Sequence, residues 1–142
     1  MIKVVPLEIM TDKYNQYFII TSDVKKIIAD SGIRNGMVTV ETRHTTTGIT
    51  VNEALECLES DIDVFLSKLI PEDAPYAHNH MLRDYGSTGG NPTGHLKAML
   101  VGNHCHFPII EGQLINGSAQ DIWFCEFDGP SMRTINVIIE GE

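Results

Sequence analysis

Six histidines (His44, His78, His80, His95, His104 and His106) all fall within one stretch of a 142-residue chain. Neutral imidazole is a common ligand for zinc and a proton-transfer group near neutral pH. A divalent metal needs three or four donors that converge from different elements. His44, His78 and His95 are far enough apart to come from three such elements. Scattered surface histidines are the competing reading. His104 and His106 flank Cys105, so on a strand both imidazoles share a face and the thiol opposes them. That spacing suits two metal ligands, and it suits an ordinary half-exposed strand as well.

Hydroxyls surround the first histidine, in Arg43-His44-Thr45-Thr46-Thr47-Gly48. Hydroxyls and glycine amides hold phosphate oxygens or orient a water, although threonine also simply favours strands. Asn52 and Glu53 follow at short range. They either orient an imidazole from behind or cap the next helix. Lys97 and Arg133 supply cations. His95 and Lys97 are two residues apart, so a regular helix turns them to different sides. They serve one site only through an irregular turn or a wall from a neighbouring subunit. Asp128-Gly129-Pro130 sets a carboxylate beside a tight turn, as a functional group or as a plain hairpin.

The elements that must position these residues read as follows. Strands are expected over 3–9 and 14–21, joined by a turn near Thr11-Asp12-Lys13. A helix follows, capped by Thr21 or Ser22, with Val24, Ile27 and Ile28 on one face and a stop at Gly32. After Asn35-Gly36 the stretch 37–44 alternates. Val38, Val40, Thr42 and His44 point one way, which puts His44 at the rim of a core. The chain breaks at Gly48, and 53–68 is helical with Leu55, Leu58, Ile62, Phe65, Leu66 and Leu69 on one broad face. The irregular stretch 71–93 carries His78 and His80. A loop that long inside a compact domain is functional or disordered. Asn91 caps the next helix and Pro92 takes its first position, so His95 falls in the first turn. Strands over 104–110, 119–128 and 132–140 finish the chain. In the second, Ile122, Phe124, Glu126 and Asp128 share a face; in the third, Arg133, Ile135, Val137 and Ile139 do. The order lacks βαβ alternation and predicts a single α+β domain over 1–142, a largely antiparallel β-sandwich with inserted helices.

Composition narrows the function. A net charge of −9 disfavours nucleic acid but leaves room for a small phosphorylated molecule held by a local basic cluster. Three widely spaced cysteines form no disulfide framework and no CxxC pair, which suits a reducing cytoplasm. No apolar run approaches the roughly 18–20 residues of a membrane span. The N-terminal segment does not read as a secretory signal.

Several motifs recur in a fixed order: His44-Thr45-Thr46-Thr47-Gly48 running to Asn52-Glu53, Tyr76-Ala77-His78, Gly94-His95-Leu96-Lys97, Pro108 with Gly112, Leu114, Gly117 and Gln120, and Glu126-Phe127-Asp128-Gly129-Pro130 with Arg133. Together they resemble the YjbQ-like secondary thiamine-phosphate synthase family over nearly the whole chain. The family usually carries tryptophan where Ala119 stands and arginine where Ser131 stands. The resemblance implies a compact α+β sandwich that assembles as a homotrimer with sites near subunit boundaries. It implies transfer of a pyrimidine pyrophosphate onto a thiazole phosphate as a secondary activity, and a divalent metal, zinc or magnesium, near the histidines. On this expectation His44, His78 and His95 hold the metal, and Lys97 and Arg133 help to neutralise pyrophosphate. Glu53 or Glu126 orients a ligand or moves a proton. Thr45, Thr46, Asn52 and Gln120 contact substrate. Metal-assisted phosphoester hydrolysis and a non-catalytic metal- or ligand-binding trimer are the alternatives.

Overall fold

Two antiparallel sheets face one another in this protein, and helices fill what the sheets leave open. The computed structural model describes residues 1–79, 81–82, 86–87 and 90–142. The chain begins with β1 (Ile2–Met10), β2 (Gln16–Ile19), α1 (Thr21–Ser31), β3 (Gly36–Thr42), β4 (Thr47–Asn52) and α2 (Glu56–Leu69). A 3-10 turn at Ala77–Asn79 and a ribbon of β5 (Met81–Leu82) and β6 (Gly86–Ser87) lead to α3 (Pro92–Val101). Then come β7 (His104–Ile110), β8 (Gln113–Leu114), β9 (Asp121–Glu126) and β10 (Met132–Gly141).

The larger sheet has the order β1-β10-β3-β7-β8 and the smaller β2-β9-β4. Period-2 alternation sets their inner faces. Val38 and Val40 of β3, Phe107 and Ile109 of β7, and Ile135, Val137 and Ile139 of β10 meet Ile49 of β4 and Ile122 and Phe124 of β9. Val24 and Ile28 of α1 close this core. A second core lies on the other side of the small sheet, where Trp123, Cys125 and Phe127 pack against Leu66 of α2 and Ala98 of α3. β9 is therefore covered on both faces, which explains its unbroken apolar run. The α+β antiparallel sandwich read from the sequence is the fold observed.

Local departures have local causes. β2 is shorter than expected because Gln16 Oε1 accepts the Asp12 and Lys13 amides at 2.9 and 3.3 Å and folds 12–15 into a turn. Thr21 does not cap α1. Its hydroxyl donates to Asp121 Oδ1 at 2.6 Å and accepts the Ile122 amide at 2.9 Å, tying α1 to β9. α2 starts at Glu56 rather than at 53, because Asn52 is still paired with Asp121 at the end of β4. Its broad apolar face is mostly uncovered: Leu66 is buried, whereas Leu55, Phe65 and Leu69 are exposed. The second core is small and takes only one edge of that face.

Close approach explains how α3 docks. A Cβ on Gly94 would stand 2.9 Å from the Phe127 carbonyl oxygen, and one on Gly48 would stand 2.7 Å from Val101 Cγ1. These two glycines let the ends of α3 lie directly on the β9 and β4 backbones. The Ile49 amide donates to the Gly102 carbonyl at 3.0 Å and fixes the far end. His95 is thereby held at a set height above the small sheet.

Candidate functional site

A buried ion pair underlies the site. Glu126 ends β9 with its carboxylate turned into the sandwich, and Arg133 reaches it from β10 of the facing sheet. Arg133 Nε donates to Glu126 Oε1 at 2.8 Å, and Nη2 donates to Oε2 at 2.6 Å. Nη2 also donates to Thr46 Oγ1 at 3.0 Å. The Thr11 hydroxyl and the Asp128 amide add donors to Glu126 at 2.7 and 3.0 Å. Burial pushes the Glu126 pKa up, but its hydrogen bonds from Arg133, Thr11 and the Asp128 amide outweigh that and hold it below the usual carboxylate value. Every lone-pair direction of this carboxylate is occupied, so it anchors its neighbours and has no vacancy for a substrate proton.

Two site segments hang on that anchor. The first is the turn between β3 and β4, which carries His44. The Thr42 and Thr47 hydroxyls meet at 2.6 Å, and the Phe127 amide donates to the Thr46 carbonyl at 3.1 Å. His44 Nε2 accepts the Thr134 amide at 2.9 Å. A backbone N–H only donates, so Nε2 uses its lone pair and Nδ1 bears the proton. Burial, and then the positive charge of Arg133, hold the His44 pKa below its ordinary value, which keeps the ring neutral.

The second segment is the Asp128 turn. Asn91 Nδ2 donates to Asp128 Oδ2 at 2.9 Å, and His78 Nε2 lies 2.8 Å from Asn91 Oδ1. An ionised carboxylate only accepts, so the amide of Asn91 must face Asp128 and its oxygen must face His78. His78 Nε2 is therefore the donor, and Nδ1 is the basic nitrogen of the neutral ring. The expected helix cap is absent because Asn91 spends its side chain on this relay. His78 meets His95 edge to face, with ring centroids 4.9 Å apart and planes at 77°.

His95 lines two cavities. One of about 430 Å³ is bounded by Ala77, His78, Pro92, His95 and Leu96. The other, about 270 Å³, includes His44, Thr45, Thr47 and Asn103 in its wall. A carboxylate triangle supports the segment bearing His78: Glu72 accepts from Thr93 Oγ1 at 2.9 Å and from the Tyr14 hydroxyl at 3.1 Å.

Other sequence candidates lie elsewhere. Lys97 leaves α3 on the side away from His95 and is buried, its ammonium 6.0 Å from the centre of the Phe127 ring. Glu53 is exposed, with its amide donating to Asn52 Oδ1 at 2.9 Å. Asn52 is exposed, and its carbonyl accepts from Trp123 Nε1 at 3.2 Å. Gln120 Oε1 accepts the Gly117 amide at 2.7 Å inside an exposed turn. Thr46 is buried on Arg133, and Thr45 is exposed beside His44. His80 lies outside the described residues. His104 and His106 sit on the outer face of the large sheet, where they pair across strands with Glu41 and Thr39. Sequence reasoning missed the roles of Asn91 and Glu72. Asn91 before Pro92 looks like a cap in sequence, and nothing marks Glu72.

An antiparallel sandwich with helices on one side of its small sheet, and paired imidazoles at the start of the last helix, defines the class of protein. The family model described as UPF0047 protein YjbQ-like matches residues 6–142, and the chain belongs to that family. A UPF0047 protein of Methanothermobacter thermautotrophicus is 38% identical over 136 residues, spanning 96% of this chain and 90% of that one. YugU of Bacillus subtilis, also a UPF0047 protein, is 36% identical and spans 95% and 97%. A crystal structure of a protein of unknown function from Sulfolobus solfataricus superposes with a TM-score of 0.91 at 31% identity, covering 100% and 99% of the two chains. An uncharacterised family structure from Clostridium acetobutylicum gives 0.86 at 37% identity, covering 96% and 99%.

These findings correct the expected activity. The relatives and solved structures named above are described as UPF0047 or YjbQ-like proteins or as of unknown function, and none carries a thiamine-phosphate synthase activity in its description. Among the described residues no group of three His, Cys, Asp or Glu side chains is placed to hold a metal ion. A physical reason lies in the lone pair of His44: the Thr134 amide occupies Nε2 and leaves a protonated Nδ1, so this ring has no nitrogen for a metal. His78 and His95, which meet edge to face, are then two candidate ligands and not three. The pyrophosphate-transferase reading falls, and with it the metal in both alternatives. No helix among the described residues is long and apolar enough to cross a membrane.

The anchor makes a direct prediction. Glu126→Ala leaves the Arg133 charge buried without its partner and lowers unfolding free energy by about 3–5 kcal/mol in denaturant titration. Glu126 and His44 both titrate below their unfolded values in the folded protein. Each therefore stabilises above the unfolded pKa, and that contribution is lost as pH falls through the folded pKa. Stability should fall monotonically on acidification from neutral pH. A rise between the ordinary histidine and carboxylate ranges would contradict these assignments.

Proposed function

We propose that this protein binds a small anionic molecule, phosphorylated or carboxylated, at the His78–His95 corner and moves a proton on it. The observation that carries the proposal is the relay His78–Asn91–Asp128, with contacts of 2.8 and 2.9 Å. A carboxylate that fixes an amide, which in turn fixes the tautomer of an imidazole, is how a general base is oriented. Nδ1 of His78 is left as the base, and the His95 ring, which meets it edge to face, positions or shares the proton. His44 adds a fixed Nδ1–H donor toward an anion. Arg133 holds Thr46 and Glu126 in place and acts through them.

A homotrimer belongs to the same proposal. Met99 and Leu100 are 76% and 52% exposed on α3, and Met99 borders the His44 cavity, which supports a neighbouring copy at the edge of the site. A monomer mass in light scattering would remove that part.

The chemistry is tested by incubating the protein in D₂O with a library of phosphorylated and carboxylated metabolites and following both conversion and deuterium incorporation by NMR. At least one compound should be converted or exchanged by the native protein. His78→Gln should slow that reaction by about 10²–10⁴-fold while binding changes little. Binding with neither conversion nor exchange across the library would reject the proton-transfer reading.

A further inference from the structure

The two cavities flanking His95 differ in what they offer. The larger is walled by Ala77, Pro92 and Leu96, with the His78 and His95 rings forming a corner. Two rings meeting edge to face leave ring faces that the pair itself does not cover, against which a flat group can pack. An apolar cavity of about 150 Å³ admits benzene. About 430 Å³ therefore accommodates a substituted or fused ring.

The smaller cavity presents donors. His44 offers Nδ1–H, a direction imposed by the Thr134 amide on its other nitrogen. Thr45 adds an exposed hydroxyl, and Asn103 lies alongside, its Oδ1 2.8 Å from His104 Nδ1. The fixed His44 N–H, with a hydroxyl beside it that can turn to donate, selects a group that accepts, which an oxyanion is. Charge placement agrees. Among the described residues no Asp or Glu lines either cavity. Glu56, Glu59 and Asp63 face a different hollow beside Tyr17.

We infer that the ligand is a small ring-bearing oxyanion, its ring against Ala77, Pro92 and Leu96 and its oxyanion at His44 and Thr45, with His95 between the two. This rests on the site proposed above and adds the substrate class and its direction. The His78 base then faces the ring end, and the donors face the acid end.

Fragment titrations followed by NMR test it. Benzoate and phenylphosphonate carry both halves, benzamide carries the ring without the charge, and acetate and methylphosphonate carry the charge without the ring. Each aryl oxyanion should bind at least about tenfold tighter than either half. His44→Phe should erase the advantage over benzamide, and Leu96→Asn should erase the advantage over acetate. Thr45→Val, at an exposed position, replaces His44→Phe if that variant does not fold. Equal binding of benzamide and benzoate, or of acetate and benzoate, overturns the inference. So does persistence of both preferences in the variants. An unchanged reaction in His78→Gln would sink the proton-transfer reading alone and leave these affinities standing.

Discussion

The Glu126–Arg133 pair is the constraint on which the rest of this structure depends. It is the one ion pair among the described residues that joins the facing sheets, and it is almost wholly removed from water. Desolvating two charges costs several kcal/mol each, which only good geometry and extra hydrogen bonds repay. Here the geometry is bidentate, and Thr11, Thr46 and the Asp128 amide satisfy what remains. Two of those partners, Thr46 and Asp128, belong to the segments that carry the site. The pair therefore couples closure of the sandwich to the placement of His44 on one side and Asp128 on the other.

Directionality follows from that coupling. Two neutral imidazoles on one surface would ordinarily interchange tautomers at little cost. Here a backbone amide dictates the proton of His44, and a carboxylate acting through Asn91 dictates that of His78. One ring becomes a donor and the other a base. α3 places His95 between them because two glycines allow its ends to touch the sheet backbones.

The sandwich was legible in the sequence because β3, β7 and β10 alternate cleanly, and because β9 is apolar on both faces. His44 at a core rim was legible from strand alternation, and His95 at the start of a helix from the Asn91-Pro92 start signal. Lone-pair commitments were not. Whether an imidazole nitrogen faces a metal, an amide or a carboxylate depends on contacts such as Thr134 with His44, 90 residues apart. Residue type and order could suggest three ligands but could not show that the lone pair of His44 was already taken by a backbone amide. The apolar face of α2 misled in the opposite direction, since amphipathic spacing reports what a helix offers and not how much surface it finds.

The measurement closest to the central claim is a long-range ¹H–¹⁵N spectrum of the histidine side chains at neutral pH. The two rings should hold opposite neutral tautomers, with the proton on Nδ1 of His44 and on Nε2 of His78, and Asp128→Asn should scramble His78 while His44 stays unchanged. Finding both rings in the same tautomer, or His44 protonated at neutral pH, would contradict it.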